Sequence, residues 1–490
     1  MQTIEETLKK YTVVLQIILA IVAGYFLVNG INRPLTDYDE ATYAKVVVDT
    51  LKSGDILSFK LSGDNWYEKP PFYLWTAMGS VKIFGEKEFA FRIPSIIGSL
   101  MCLWLTYLIA RKLTNSELVG IVAFLLLLFT PVFIFYSREM RLDSSVLAAI
   151  LAAFYLWIIG LENEKYFFWI FPLVAVGFLF KSVIVLLLGL ALFIYSFFYQ
   201  KWLWLENKYL WHGLSLALII FIPWHTIQIS RFGHDFLSRY FGYDVYRRAT
   251  TTVTGSGKYY DYISDLWIYN KAWLAVLIGI FAIFIFFVFK NKIKTTLLWK
   301  SIVASFITAL SIIALFSIAK THLTPYIMPA YPFIAIFVSL LVFHLSKQYR
   351  KSFLIYFLIF IPLLTTGIYY CFSPRNNPNN PLILEEASVG QIYKKSEINN
   401  PAPLYGLGWP YLETINYYGN TKTQFLGVED MSGKKLKGPF YIVTTTAGAS
   451  YFFYPYNGQL KSMYESLRLI YAGKYGVLMY SSEDINFPAF

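Results

Sequence analysis

About eleven apolar runs leave this chain few ways to fold. They fall at roughly 11–30, 90–110, 117–136, 143–161, 166–181, 183–200, 209–228, 271–290, 297–319, 323–345 and 352–372. A helix of about 20 apolar residues, rising 1.5 Å per residue, matches the ~30 Å hydrocarbon core of a bilayer. Inside that core a helix satisfies its own backbone polar groups, which an isolated strand does not. The sequence therefore predicts an all-α polytopic membrane domain with about eleven transmembrane helices. Composition agrees, with 57% hydrophobic and 15% charged residues, where soluble domains carry about a quarter charged. The run at 72–84 is shorter and reads as a helix lying at the interface.

The formal net charge of +12 is explained by topology rather than by nucleic acid. With Lys9 and Lys10 inside, the basic groups Arg111/Lys112, Lys165, Lys201/Lys208, Lys290/Lys292/Lys294 and Lys347/Arg350/Lys351 all fall inside as well, as the positive-inside rule requires. Residues 31–89, 137–142, 229–270 and everything after 372 are then outside. Residues 1–372 form the membrane domain, with a first outer loop at 31–89 and a long outer loop at 229–270. A Pro- and Asn-rich linker follows at 373–381. Residues 382–490 are long enough for a small extracytoplasmic domain. Its strand candidates at 403–408, 440–446 and 475–481 are separated by helical patterns at 383–395, 410–418 and 458–470, which predicts an α/β unit. Cys102 and Cys371 lie in or at the end of apolar runs and imply no disulfide framework. There is no G-x-x-x-x-G-K-[ST] loop and no dinucleotide fingerprint, so no nucleotide cofactor is expected. The inner loops are short, so a donor must reach the outer face attached to a lipid.

Candidate chemistry gathers in the outer loops. Asp37, Asp39 and Glu40 sit just past the first run, and Glu68-Lys69-Pro70-Pro71 follows. Charged groups next to a bilayer are costly and usually functional. Asp39 is either a general base for an attacking hydroxyl or the cap of the helix it precedes. Lys69 is either a point charge for phosphate or a snorkelling interface lysine. In the stretch 137–143, Arg138 and Arg141 suit phosphate or lipid head groups, and Asp143 is a second carboxylate or a cap. Lys181 stands alone between two apolar runs. The long outer loop holds Arg231, His234, Asp235, Arg239, Asp244, Arg247 and Arg248. The turn 320–326 adds Lys320 and His322, the latter a candidate ligand or base.

In order along the chain stand Asp39-Glu40-x-x-Tyr43-Ala44, Ser53-Gly54-Asp55, Glu68-Lys69-Pro70-Pro71 and Phe84-Gly85-x-x-Glu88-Phe89-Ala90-x-Arg92-x-Pro94-Ser95. Ser137-Arg138…Asp143, Lys181, Pro223-Trp224 and Lys320…Tyr326-x-x-Pro329 follow. This succession resembles the aminoarabinose-transferase and protein-mannosyltransferase (ArnT/PMT-like) family of GT-C membrane glycosyltransferases. The resemblance implies a helical bundle with interfacial helices, a polyprenyl-phosphate sugar donor and inverting attack on the anomeric carbon. The acceptor would be a lipid, glycan or protein at the outer face of the bacterial cytoplasmic membrane. It implies that Asp39, with Glu40, activates the acceptor and that Asp143 is a second active-site carboxylate. Lys69 would contact the donor phosphate, helped by Arg138, Lys181 and Arg247. Glu68 and Asp244 would hold a divalent ion (Mg, Mn, Ca or Zn) if one is used, while Tyr43, Lys320 and His322 would line the site. Thr42 stands where the family often has arginine, and Asp244 where a histidine is common. A lipid-linked glycan flippase is an alternative from another class, and a glycan ligase or oligosaccharyltransferase is one within enzymes.

Overall fold

The computed structural model describes residues 2–35, 38–252, 296–348, 381–407, 412–426, 435–446 and 467–486, with scattered positions between 258 and 285 and between 361 and 369. The chain divides into two compact units. One comprises Met1–Ile31, Tyr67–Gly85 and Phe89–Asn376, and the other Asn32–Trp66, Glu86–Glu88 and Asn377–Phe490.

The first unit is helical. Among the described residues, 6 helices are long and apolar enough to cross a membrane, or up to 7 if a bent pair is one span. They are Glu88–Thr114, Asp143–Gly160, Glu164–Tyr199, Lys208–Thr250, Leu297–Ile318 and Ala330–Lys347. The bent pair is Glu117–Leu128 with Pro131–Ser137, which meet at 69°, the break falling just before Pro131, whose ring cannot continue a helix. The expectation of about eleven spans therefore meets a smaller number here. The first apolar run forms Thr12–Val28, short of a full span at 17 residues. The runs 166–181 and 183–200 fall within a single 36-residue helical segment, interrupted where Ser182 takes φ 55°. The run 271–290 lies largely, and the run 352–372 mostly, outside the described residues. The short run at 72–84 forms the 14-residue helix Pro71–Phe84.

Burial sorts these helices into central and lipid-facing ones. Ala330–Lys347 has 89% of its apolar window buried, against 28% for Lys208–Thr250. Exposed Ile219, Ile222, Leu310 and Leu315 belong to the outer helices; in lipid, such side chains lose nothing by facing outward. Close helix approach relies on small residues, since lipid provides no hydrophobic drive for association. A Cβ on Gly213 would lie 1.9 Å from the backbone oxygen of Phe168, so Lys208–Leu237 packs against Glu164–Trp169 only because that position is glycine.

The second unit holds helix Tyr38–Ser53 and a hairpin of Lys60–Leu61 with Asp64–Asn65. It also holds a five-stranded sheet in the order Gln424–Leu426, Leu404–Leu407, Phe440–Thr445, Gly476–Ser481, Arg468–Ala472. The first three strands run parallel and the last two join antiparallel. Both faces of the central strand Phe440–Thr445 are covered. Tyr441 and Val443 pack with Val389, Tyr393 and Ile415, while Phe440 and Ile442 pack with Leu407 and Met479. A strand buried on both faces reads as a continuous apolar run, as the FYIV that opens this strand does. The helix Pro381–Asn399 and the strands match the sequence patterns at 383–395, 403–408, 440–446 and 475–481. The helical pattern at 458–470 lies outside the described residues except at its end, which is strand. Within this unit Tyr418 accepts from the Leu35 N–H and donates to Glu88, each at 2.9 Å. Burial, then the neighbouring Glu88 charge, pushes its hydroxyl well above the usual tyrosine range, so it serves as a neutral donor.

Candidate active site

Glu68 and Lys69 are fixed by the prolines that follow. Pro70 is extended, at φ −72° and ψ 169°, and Pro71 opens helix Pro71–Phe84. A residue before proline is pushed out of the helical region, and proline at the first helical position starts the helix without losing a needed N–H. Glu68 and Lys69 thus project just before a helix N-terminus.

Opposite them stands a π-helix, Ser238–Arg247. It follows a break at Gly233, whose φ of 49° inside helix Lys208–Leu237 is one that a side chain would strain. With i→i+5 bonding, residues five apart share a face, so Arg239 and Asp244 come round together. Arg239 pairs with Glu68. Lys69 Nζ lies 3.3 Å and Arg248 Nε 3.1 Å from Asp244 Oδ1. The guanidiniums of Arg239 and Arg247 lie 4.2 and 5.1 Å from the ring centroid of Tyr243.

The cluster continues through Tyr326. Its hydroxyl accepts from Arg248 at 3.1 Å, and Lys181 Nζ lies 5.7 Å from its ring centroid. Lys181, the last residue of helix Ile170–Lys181, pairs with Asp143 on the first turn of Asp143–Gly160. Asp143 and Asp244 have side chains only 7% and 9% exposed. Taking such charges out of water costs several kcal/mol per ion, and good pairing only offsets it. Retention of the whole set argues for a use beyond stability.

The helical unit also holds an apolar cavity of about 640 Å³. Helix Pro71–Phe84 lines it with Thr76 and Ile83, and Met101, Ala149 and Phe180 close other sides. Its lining includes Ser145 and Phe180, sequence neighbours of Asp143 and Lys181.

Other candidates sit elsewhere. Arg138 is 1% exposed and gives its Nε to the Phe26 carbonyl at 2.7 Å, which holds the end of helix Thr12–Val28. Arg141 Nε lies 3.2 Å from Glu139. His322 has both ring nitrogens engaged, Nδ1 with Asp261 at 2.8 Å and Nε2 with the Ala319 carbonyl at 2.7 Å, which suits holding a turn better than moving a proton. Lys320 is exposed, and its backbone N–H bonds the Ala249 carbonyl at 3.1 Å while Thr321 bonds that of Arg248 at 3.1 Å. The turn therefore positions Arg248. Asp39, Glu40 and Tyr43 belong to the second unit, on helix Tyr38–Ser53. Glu40 is fully buried, Asp39 is half-buried, and Tyr43 meets Trp66 edge-on at 6.0 Å. Asp37 lies outside the described residues.

Residues 68–227 match the family described as dolichyl-phosphate-mannose-protein mannosyltransferase. The chain is 28% identical over 392 residues to a protein of Aquifex aeolicus, covering 77% of this chain and 73% of that one. It is 26% identical over 238 residues to the undecaprenyl phosphate-alpha-4-amino-4-deoxy-L-arabinose arabinosyl transferase of Pseudomonas aeruginosa, covering 45% of this chain and 43% of the relative. The chain thus spans less than half the length of that transferase. The crystal structure of ArnT from Cupriavidus metallidurans bound to undecaprenyl phosphate shares the fold, with a TM-score of 0.73 at 15% identity over 96% of this chain and 97% of that one. Over residues 68–227 the chain is thus similar to the mannosyltransferase family, and it shares the fold of ArnT. It is an integral membrane protein.

The family match takes in Glu68, Lys69, Asp143 and Lys181 but stops before the π-helix. Arg239, Arg248 and Tyr326 are members of the cluster that sequence reading left among the loop residues. Their signal was spacing, because charges at 239, 244 and 248 share a face only once the i→i+5 turn is known. The cluster also bears on a metal. Glu68 and Asp244 already face Arg239, Lys69 and Arg248, and among the described residues no group of three His, Cys, Asp or Glu side chains could hold an ion. Hard divalent cations take several oxygen ligands. A pair of carboxylates facing three cations does not offer them, and the set suits an oxyanion better.

Proposed function

We propose that this glycosyltransferase moves a sugar from polyprenyl phosphate to a hydroxyl or phosphate oxygen of a lipid, glycan or protein, at the outer face of the cytoplasmic membrane. The acceptor oxygen attacks the anomeric carbon from the side opposite the lipid phosphate. The bond from that carbon to the phosphate oxygen breaks, and the product is inverted. When the acceptor is a hydroxyl, a carboxylate takes its proton, the role that the family resemblance gives Asp39. The departing polyprenyl phosphate carries the negative charge away, and Lys69, Arg248 and Lys181 stabilise it there. Donors held in place where charge develops need no reorganisation during reaction, which is why such groups lower barriers strongly. Asp244 and Asp143 keep these cations oriented before the donor arrives. Arg247, stacked with Arg239 about Tyr243, adds charge at the rim. The apolar cavity lined by Thr76, Met101 and Phe180 suits the donor's isoprene units.

The observation that carries this reading is the buried run of alternating charges from Lys69 through Asp244, Arg248 and Tyr326 to Lys181 and Asp143. The experiment is to incubate the purified protein with radiolabelled polyprenyl-phosphate sugars and envelope fractions, beside Asp39→Asn. Wild type should move label to an acceptor and leave free polyprenyl phosphate. Asp39→Asn should be slower by about 10² to 10⁴, the usual contribution of a positioned base, with its thermal midpoint unchanged. Turnover near wild type in Asp39→Asn would reduce Asp39 to a helix-start residue.

A further inference from the structure

A second group of cations, none of them in the Lys69 cluster, surrounds a pocket of about 500 Å³ in the sheet-containing unit. Lys45, Lys52, Lys60 and Lys422 line it, with Asp49 as the lone carboxylate among the lining residues. Ser53, Ser62, Asn420 and Thr421 supply hydroxyl and amide groups.

The pocket is built, not merely a patch of lysines. Asp49 is saturated: it accepts from Lys45 at 2.9 and 3.0 Å and from the Ser62 N–H at 2.7 Å. That N–H belongs to the hairpin turn, where Ser62 at φ 51° and Gly63 at φ 90° both take left-handed backbone. A two-residue hairpin turn of this kind needs positive φ at both positions. Asp49 thus ties the hairpin to helix Tyr38–Ser53 and holds Lys45, 8% exposed, beneath the pocket. Lys45 also reaches Asn420 at 3.4 Å, on the facing loop. Lys60 bonds Asn65 at 2.6 Å, and Lys422 pairs with Asp64 at 2.5 Å on the rim. Lys422 holds the Asp64 carboxyl below its ordinary range, so that pair is ionised near neutral pH. Lys52 is exposed and makes no ion pair among the described residues. After Asp49 and Asp64 each neutralise a lysine, positive charge is left facing one hollow.

We infer that this pocket binds a phosphate group carried by a saccharide, as a site additional to the donor cluster. Phosphate is favoured over a carboxylate because the cations are all lysines. An ammonium is a compact point charge suited to phosphate, whereas planar carboxylates are best matched by the arginine fork. A saccharide is favoured over the bare ion by size and lining. A pocket of this volume holds a small molecule, and the side chains beside the lysines offer the hydroxyls and amide that sugar hydroxyls bond. The inference goes beyond the proposed transfer reaction and does not depend on it.

The test is calorimetric titration of the full chain in detergent at low salt with a hexose 6-phosphate, inorganic phosphate and a neutral hexose. The hexose phosphate should bind saturably, more tightly than inorganic phosphate, and the neutral hexose should not bind. Lys52→Ala and Lys60→Ala should each weaken it about tenfold, the scale of one charged hydrogen bond, and Lys52→Arg should keep most of the affinity. Lys69→Ala, which alters the donor cluster, should leave this binding unchanged. Equal affinity for the two phosphates would keep the phosphate site and remove the sugar. Binding lost in Lys69→Ala but intact in Lys52→Ala and Lys60→Ala would assign the phosphate to the donor cluster and overturn the inference. So would the absence of saturable heat with either phosphate. Thermal unfolding of each variant checks that a loss is not a folding defect, and Lys52, being exposed, is the variant safest on that count.

Discussion

Two sets of cations in the helical unit differ in what holds them. Arg92 and Arg138, at 0% and 1% exposure, donate to backbone carbonyls, those of Ile31 and Phe26. These carbonyls lie at or just past the end of helix Thr12–Val28, where the last turn leaves acceptors without helical partners. Lys69, Lys181, Arg239 and Arg248 face carboxylates. The contrast decides their roles. A guanidinium that caps a helix end is committed to the fold, because removing it leaves a buried carbonyl short of a donor. An ammonium held by a carboxylate can turn to an incoming phosphate while the carboxylate keeps its other cation, as Asp244 keeps Arg248 when Lys69 turns.

The sharpest way to break that distinction is Arg138→Leu. It should destabilise the protein by about 1–3 kcal/mol, the scale of an unsatisfied buried acceptor, seen as a lower thermal midpoint, while the protein that remains folded should bind polyprenyl phosphate as wild type does. A donor-binding defect without a stability loss would move Arg138 into the cluster. The smallest expected effect concerns metal. Because Glu68 and Asp244 face cations, activity of chelator-treated enzyme should stay within about twofold of untreated enzyme, a change under 0.5 kcal/mol. Loss on chelation, restored by one divalent ion, would show that these carboxylates serve a metal instead.

How much of this was legible in the sequence depends on whether the signal is local. Apolar length and period are local, so the helices from Glu88 to Thr114 and from Leu297 to Ile318 and the strands Leu404–Leu407 and Phe440–Thr445 follow the pattern of the chain. The proline pair that presents Glu68 and Lys69 is local too. What joins distant residues was not legible. Residues 32–66 cluster with the C-terminal region, partly through Tyr418 and Leu35, which are 383 residues apart. Arg138 carries the same charge as Lys69, and its bond to the Phe26 carbonyl, far away in sequence, is not a local signal. Arg239 and Asp244 meet because the helix widens into a π-turn, which no helical period of 3.6 anticipates. Lys181 was visible as a lone charge between apolar runs and Asp143 as a second carboxylate or a cap, but nothing local joined the two.

The most direct test of the account is equilibrium binding of polyprenyl phosphate to wild type, Lys69→Ala and Lys69→Arg in detergent or nanodiscs. The account predicts that Lys69→Ala weakens binding at least about tenfold, the scale of a charge-assisted contact in a buried site. Lys69→Arg should keep most of the affinity, and both variants should unfold at the wild-type temperature. Equal affinity in all three proteins would contradict it and leave the Lys69–Asp244 pair as a structural contact.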